Sequence, residues 1–407
     1  MAQTLYRLRR ELDIMPSPVP DRPGLLIRDP FQYSDAVAII PPLLAQMLML
    51  FDGQHTELDL RARLTQLTGD LQTSEIARNL MNALDQNGFL ESERFFEMRD
   101  RKQHEFADAE ARQPAHAESG YPAEAEPLRV RLSQYGADPE SASLDSLVAL
   151  AAPHVSPEGG FRSYAAAYRR LNPSYADHTF VILGTSHYGQ PEKFGLTRKP
   201  YLTPFGAVQT DRALVDGLAS AAPDAVVMED YCHATEHSIE FQCIFLQHAL
   251  GKPDLKAVPI LCGPLVESLL TGKPPERNES VRRFLDALGE MASKLGDKLV
   301  WVLGVDMAHI GRRYGDAFTA TAEQGPLAEV RTRDEARLDR ICEGDAEGFF
   351  ELVHPKHDDL RWCGYSPIYT FLRAAENVRG EVLLYEQWNI DQQSVVSFAG
   401  VEFRHAD

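Results

Sequence analysis

Four stretches of this chain carry a histidine or cysteine where an apolar run stops. They are Pro153-His154 after 147–152, Ser186-His187 after 180–183, Asp306-Met307-Ala308-His309 after 299–305, and Trp362-Cys363-Gly364. In an α/β domain such short β-branched runs become central strands, and a residue just past a strand's carboxyl end faces the crevice where ligands bind. Several such residues predict one shared site. Imidazole and thiolate are side chains that transition metals prefer, so the pattern reads first as a metal centre.

The chain has 407 residues, 44% of them apolar, which is enough for a sizeable core and more than one compact domain usually holds. Two domains are expected. The formal charge of −19 opposes docking on nucleic acid or anionic lipid, both of which need a basic surface. The longest apolar stretch, 36–51, is broken by Pro41-Pro42 and is too short to span a bilayer. Arg7, Arg9 and Arg10 are followed by no uninterrupted apolar segment, so no secretory signal is read. Five cysteines without a C-x-x-C pair read as reduced thiols, and a cytoplasmic location is expected.

Residues 1–105 predict a small winged-helix-like α+β domain. Helices are expected over 42–51, over 56–67 closed by Gly69, and from an N-cap at Ser74 to Asn87-Gly88, with a strand at Phe89-Leu90. With 12 Lys/Arg against 16 Asp/Glu and no basic stripe, this domain suits a protein partner better than DNA. Between Glu97 and Glu126 the composition is linker-like, and 106–125 is read as linker and start of the next region. From 126 to 407 strands near 147–152, 179–183, 256–261, 298–304 and 382–385 alternate with helices near 161–171, 211–221, 237–250, 279–295, 331–341 and 366–376. That alternation implies a mostly parallel sheet covered on both faces, with 394–403 as a late strand, antiparallel at an edge.

Seven motifs occur in order: Ala115-His116 through Gly120-Tyr121-Pro122, Ala152-Pro153-His154, Leu183-Gly184-Thr185-Ser186-His187, Glu236-His237-Ser238-Ile239-Glu240, Pro259-Ile260-Leu261, Gly304-Val305-Asp306-Met307-Ala308-His309 and Cys363-Gly364. Together they resemble the MEMO family, including its bacterial branch often called AmmeMemoRadiSam system protein B, from about Arg112 to the carboxyl end. Leu50-Phe51-Asp52-Gly53 and Asn87-Gly88-Phe89-Leu90 resemble small PqqD-like modules that hold peptides or partner proteins. The resemblance implies a fold similar to class III extradiol dioxygenases, which bind non-haem iron. It places metal ligands on His154, His187 and Cys363, further pocket residues on Asp306 and His309, and His237 nearby. It also implies a peptide or a radical-SAM protein as partner, with an unknown small-molecule substrate.

Two imidazoles and one anionic ligand leave open positions on a metal ion, and here Cys363 supplies the anion. Gly364 and the helical pattern that follows place Cys363 at a helix amino terminus, where thiolate is favoured. The soft site admits iron(II), expected first, or copper or zinc. His309 and Asp306 are spaced to act as an acid/base pair, with Asp306 orienting the imidazole or tuning its basicity, or else to support the metal ligands from behind. His237 reads either as a pocket group or as a helix-face residue beside Phe241, and His116 as a pocket contact or an ordered domain start. Cys232, Cys243, Cys262 and Cys342 read as structural thiols, and His354 with His357 as a solvated pair. An acidic residue that some relatives place at Ser156 is absent. Gly159-Gly160 is expected to bring backbone close to the pocket, while Arg162 reads as an anion contact or, preferably, an exposed helix-start charge.

The expected function is redox or dioxygenase-like chemistry at a mononuclear iron-type centre, with His309, Asp306 and His237 as catalytic groups. A non-catalytic adaptor of a radical-SAM enzyme and a zinc-dependent hydrolase are the alternatives.

Overall fold

Thr56 starts α1 (Glu57–Thr68): its hydroxyl accepts from the Asp59 amide, the Asp59 carboxylate accepts from the Thr56 amide, and left-handed Gly69 (φ 72°) closes the helix. This reciprocal cap satisfies donors that the helix cannot satisfy itself. α2 (Ser74–Gln86) buries Ala77, Leu80 and Leu84 and is preceded by Thr73, so the cap position lies one residue before the expected Ser74. Both helices share a core with an antiparallel sheet of β1 (Asp13–Pro16), β2 (Leu25–Arg28) and β3 (Val37–Ile40). The strand expected at Phe89-Leu90 is a single bridge between Leu8 and Leu90. The linker-like composition is also overruled at its start, where α3 (Glu93–Asp108) runs for four turns. Its buried Phe95 and Phe106 are spaced to fall on one helical face, enough to seat an otherwise polar helix.

These elements form one unit, Met1–Asp108, and the second unit is Ala109–Asp407. The structure, a computed structural model, describes residues 4–17, 19–137 and 147–406.

The second unit is built on β4 (Leu147–Ala152), β5 (Thr179–Thr185), β6 (Phe194–Leu196), β7 (Val226–Met228), β8 (Lys256–Cys262), β9 (Leu299–Gly304), β10 (His309–Gly311), β11 (Val378–Asp391) and β12 (Ser394–His405). A hairpin at Tyr201–Thr203 and Gly206–Thr210 completes eleven strands among the described residues. At the centre β4, β9, β5 and β8 run side by side and parallel. Every residue of β5 and β9 is buried, as strands covered on both faces must be. The covering helices include α4 (Pro157–Tyr168), α5 (Glu240–Leu250), α6 (Glu279–Leu295), α7 (Pro326–Cys342) and α8 (Tyr365–Ala374). On α6 the buried Val281, Phe284, Leu285, Leu288 and Met291 make one stripe. Each large apolar side chain so buried contributes roughly 1.5–3 kcal/mol.

The flanks differ from the expected pattern. β6 pairs antiparallel with β8, and β12 pairs antiparallel with β4, β10 and β11. β12 is therefore an inner strand rather than an edge. The two-residue connection between β11 and β12 allows only a hairpin, because a parallel return needs a crossover of a dozen or more residues. Among the described residues no helix is long and apolar enough to cross a membrane.

Candidate metal centre

His154 and His187 each lie two residues past the ends of β4 and β5, Asp306 two past β9, and His309 opens β10. Cys363 lies just ahead of α8. Distant segments thus meet at the carboxyl ends of the parallel strands. Two glycines make this possible: a Cβ on Gly304 would sit 2.1 Å from the Ser238 carbonyl oxygen, and one on Gly184 2.5 Å from the Ser238 hydroxyl. Without side chains at those points, 236–239 crosses directly over the strand ends and brings Glu236 and His237 in.

The rings of His154, His187 and His237 stand 5.0–5.2 Å apart, centroid to centroid. Cys363 Sγ is 3.2 Å from His154 Nε2, and one donor atom each from His154, His187 and Cys363 lie within 4.8 Å of one another.

Each imidazole is held from behind. His154 Nδ1 is 2.9 Å from the Gly304 carbonyl oxygen, and His309 Nδ1 is 2.9 and 3.0 Å from the Met307 and Arg361 carbonyl oxygens. Carbonyl oxygens only accept, so both Nδ1 atoms carry hydrogen and Nε2 holds the lone pair in the neutral rings. Glu236 does the same for two rings at once: its Oε1 lies 2.8 Å from His187 Nδ1 and 3.2 Å from His237 Nδ1, while the His187 amide donates to Oε2. Partners behind ligating imidazoles commonly set tautomer and ring orientation in this way.

A profile of the Memo-like protein family matches residues 112–402. The chain belongs to this family. A MEMO1 family protein of Aquifex aeolicus is 25% identical over 383 residues, covering 93% of this chain and 95% of that protein. One from Thermococcus kodakarensis is 29% identical over 264 residues, 61% of this chain and 86% of that protein. An uncharacterised Escherichia coli protein of solved structure, JW3007, aligns with a TM-score of 0.40 at 14% identity, over 63% of this chain and 99% of that one.

The electrostatics of this Memo-like site favour a thiolate. Burial pushes the Cys363 thiol up, but His154 and His309, with hydrogen bonds from His154 and His187, outweigh it and bring it down to about 5. Burial opposes charge on His154 as well, yet Asp306 and the Cys363 sulfur raise it to about 9. His187 is raised well above the usual imidazole range because Glu236 and Cys363 outweigh its burial. His237 goes the other way, to about 4: burial dominates, and the two neighbouring imidazoles offset the help from Glu236. An ionised sulfur beside imidazoles whose Nε2 atoms converge on it is a donor set for a transition metal, so the residues present fit the metal that this family resemblance implies.

One expected pairing is corrected. Asp306 does not orient His309: its Oδ1 accepts from the His154 and Val155 amides at 2.8 and 3.1 Å, and its Oδ2 lies 3.5 Å from His154 Nε2. His309 is set by the two carbonyls and by Tyr314, whose ring meets it edge-on at 4.9 Å. Arg361, at φ 56°, turns its carbonyl to His309 while its guanidinium binds Asp316 and the His309 carbonyl. Below the site, fully buried Asp334 accepts from Trp362 Nε1, Tyr385 and Ser397, and Ser397 Oγ accepts from the Ala308 amide. One carboxylate thus ties together the loops that carry Cys363 and His309.

The remaining expected residues fall into place around this centre. His237 precedes α5 rather than lying on it, with its ring 5.4 Å from Phe241. His116 forms a wall against His237, its amide bound to Glu240 and its Nε2 close to the Thr235 carbonyl. Ser156 caps α4 where the acidic residue is missing. Gly159 makes room for the Trp388 ring, 2.7 Å from where its Cβ would be, and Gly160 for Val155 and Pro153 beside the site. Arg162 pairs with Glu386 at 3.2 Å with 62% of its side chain exposed, so it is a surface charge. Cys232, Cys243 and Cys262 are buried free thiols pushed up by burial. His354 is half-buried and stacks on Phe350, while His357 is exposed as expected and is hydrogen-bonded to the Leu269 carbonyl. The sequence marks Glu236 only by its place directly before His237, which does not show that its carboxylate also holds His187.

Proposed function

We propose that this Memo-like protein is a metalloprotein whose His154, His187 and Cys363 hold one iron(II)-class ion for redox, dioxygenase-like chemistry on a small or peptide-borne substrate. The supporting observation is that these three side chains converge on one point while His154 Nδ1 and His187 Nδ1 are engaged behind them. Two imidazoles and one thiolate would leave coordination positions for substrate and oxidant, and the bound ion would supply electron transfer between them. His309 Nε2, with its Nδ1 pinned by carbonyls, serves as the proton-accepting group at the same pocket. His237, held neutral, offers a second Nε2 across from it. Asp306 acts as a positioning residue by holding the backbone of His154 and Val155.

Metal analysis of anaerobically purified wild type beside Cys363→Ser tests this reading. Near-stoichiometric iron in wild type and its loss in the variant are expected, with dioxygen uptake on adding a reducing aromatic substrate. Stoichiometric zinc without dioxygen uptake would instead favour hydrolysis, and no metal in either form would end the proposal.

The first unit belongs to the same reading as a partner-binding module. Its outer strand β3 has β2 as its one strand neighbour among the described residues, and Val37 on it is 63% exposed. That edge is suited to adding a strand from a peptide or radical-SAM partner. Loss of partner binding in Ala38→Pro, which removes a backbone donor, would support this, and unchanged binding would count against it.

A further inference from the structure

Cys363 takes part in two donor clusters. Besides His154–His187–Cys363, donor atoms of Asp306, His309 and Cys363 also lie within 4.8 Å of one another. A third grouping, His187–Glu236–His237, has its capacity spent: Glu236 receives the Nδ1 atoms of both histidines and both their amides. The Asp306 cluster is different. Oδ1 is committed to the His154 and Val155 amides, which anchors the carboxylate and leaves Oδ2 turned into the site, 3.5 Å from His154 Nε2. His309 commits Nδ1 to two carbonyls and keeps Nε2. Both groups have one ligand atom tied behind and one presented, the arrangement seen at His154.

We propose that Asp306, His309 and Cys363 form a second metal-ion site for a divalent ion of the zinc or iron(II) class, sharing the Cys363 sulfur with the site of His154 and His187. This rests on the metal reading above and extends it from one ion to two. A thiolate has lone pairs enough to bridge, and bridged ions in two-metal sites stand about 3.5–4 Å apart. The mixed oxygen, nitrogen and sulfur set suits zinc or iron(II) better than copper(I), which prefers sulfur. Repulsion between two divalent ions around one thiolate makes the second ion bind more weakly than the first. An ion on His309 Nε2 also occupies the lone pair that would accept a proton, so filling this site switches off His309 as a base.

Zinc titration of the metal-free full-length chain, followed by equilibrium dialysis and elemental analysis, tests the proposal. Wild type is expected to saturate at about two ions per chain, in a tighter and a weaker step, while His309→Ala and Asp306→Asn saturate at about one. His187→Ala is expected to keep the weaker site and lose the tighter one. Cobalt(II) loading of wild type gives a check that needs no variant: the paramagnetic signal of the first equivalent should diminish as the second couples to it through sulfur. Saturation of wild type at a single ion, unchanged in His309→Ala, would overturn the second site and leave the first standing. A wild type that binds no ion would overturn both.

Discussion

Both units of this protein bury charged groups, and the Arg9–Asp29 pair of the first unit and the donor cluster of the second put them to opposite uses. In the first unit, the buried Asp29 carboxylate beside Arg9 is a closed set of acceptors: Oδ1 accepts from Arg9 Nη2 and the Phe31 amide, and Oδ2 from Arg9 Nη1 and the Ser34 amide, although Arg9 Nε finds no partner among the described residues. The guanidinium also meets the Gly88 carbonyl and lies 4.0 Å over the Phe95 ring. No acceptor capacity is left on that carboxylate. At the strand ends of the second unit, by contrast, Nδ1 atoms, Glu236 and Asp306 Oδ1 are committed, while Nε2 atoms, Asp306 Oδ2 and one sulfur lie close together. Burial of charge does not separate structure from function here. The separating property is donor capacity that the fold orients and leaves unspent.

Breaking the closed set should have the largest effect. Asp29→Ala leaves a buried guanidinium unpaired, which should cost the first unit about 3–5 kcal/mol in denaturant unfolding. Metal content of the second unit should stay unchanged. Asp334→Ala comes next, orphaning the Trp362, Tyr385 and Ser397 donors; unfolding of the second unit should lose roughly 3 kcal/mol. Metal should also bind more loosely, because both supported loops carry donor residues. Equal metal affinity in a folded Asp334→Ala protein would show that the two loops need no common anchor.

The strand-end residues were readable in the sequence because position and residue type agreed: His154, His187 and Cys363 are unusual at the ends of apolar runs, and the structure brings them together. Glu236 was not readable in the same way. The sequence places it beside His237, but its partner His187 lies 49 residues away and only the crossing over Gly184 and Gly304 unites them. Spacing misled at Asp306 and His309, since a three-residue separation fits a hydrogen-bonded pair as well as it fits two residues that share a site but take separate partners. The parallel centre was legible from continuous apolar runs. The antiparallel flanks were not, because pairing of β12 with β4 depends on contacts across most of the second unit.

The open set can be sharpened by smaller changes. Glu236→Gln keeps the shape and removes the charge behind His187 and His237, and should weaken metal binding about 10–100-fold in competition titrations. Metal binding should also release protons. With His154 held near 9 in the metal-free chain, an ion arriving at neutral pH must displace a proton from that ring. Apparent affinity should therefore rise as pH rises toward 9, and calorimetry in buffers of different ionisation enthalpy should report at least one proton released. An affinity flat between pH 6 and 9 would contradict the charged pair. Arg162→Ala, on a surface charge outside both sets, should change stability by less than about 0.5 kcal/mol and metal binding not at all.

The most direct measurement is X-ray absorption at the metal edge of the loaded protein. One sulfur at about 2.3 Å and nitrogen ligands at about 2.0–2.1 Å are expected for a zinc-loaded sample, with the sulfur shell gone in Cys363→Ser. A wild-type spectrum with oxygen and nitrogen ligands alone would contradict the account.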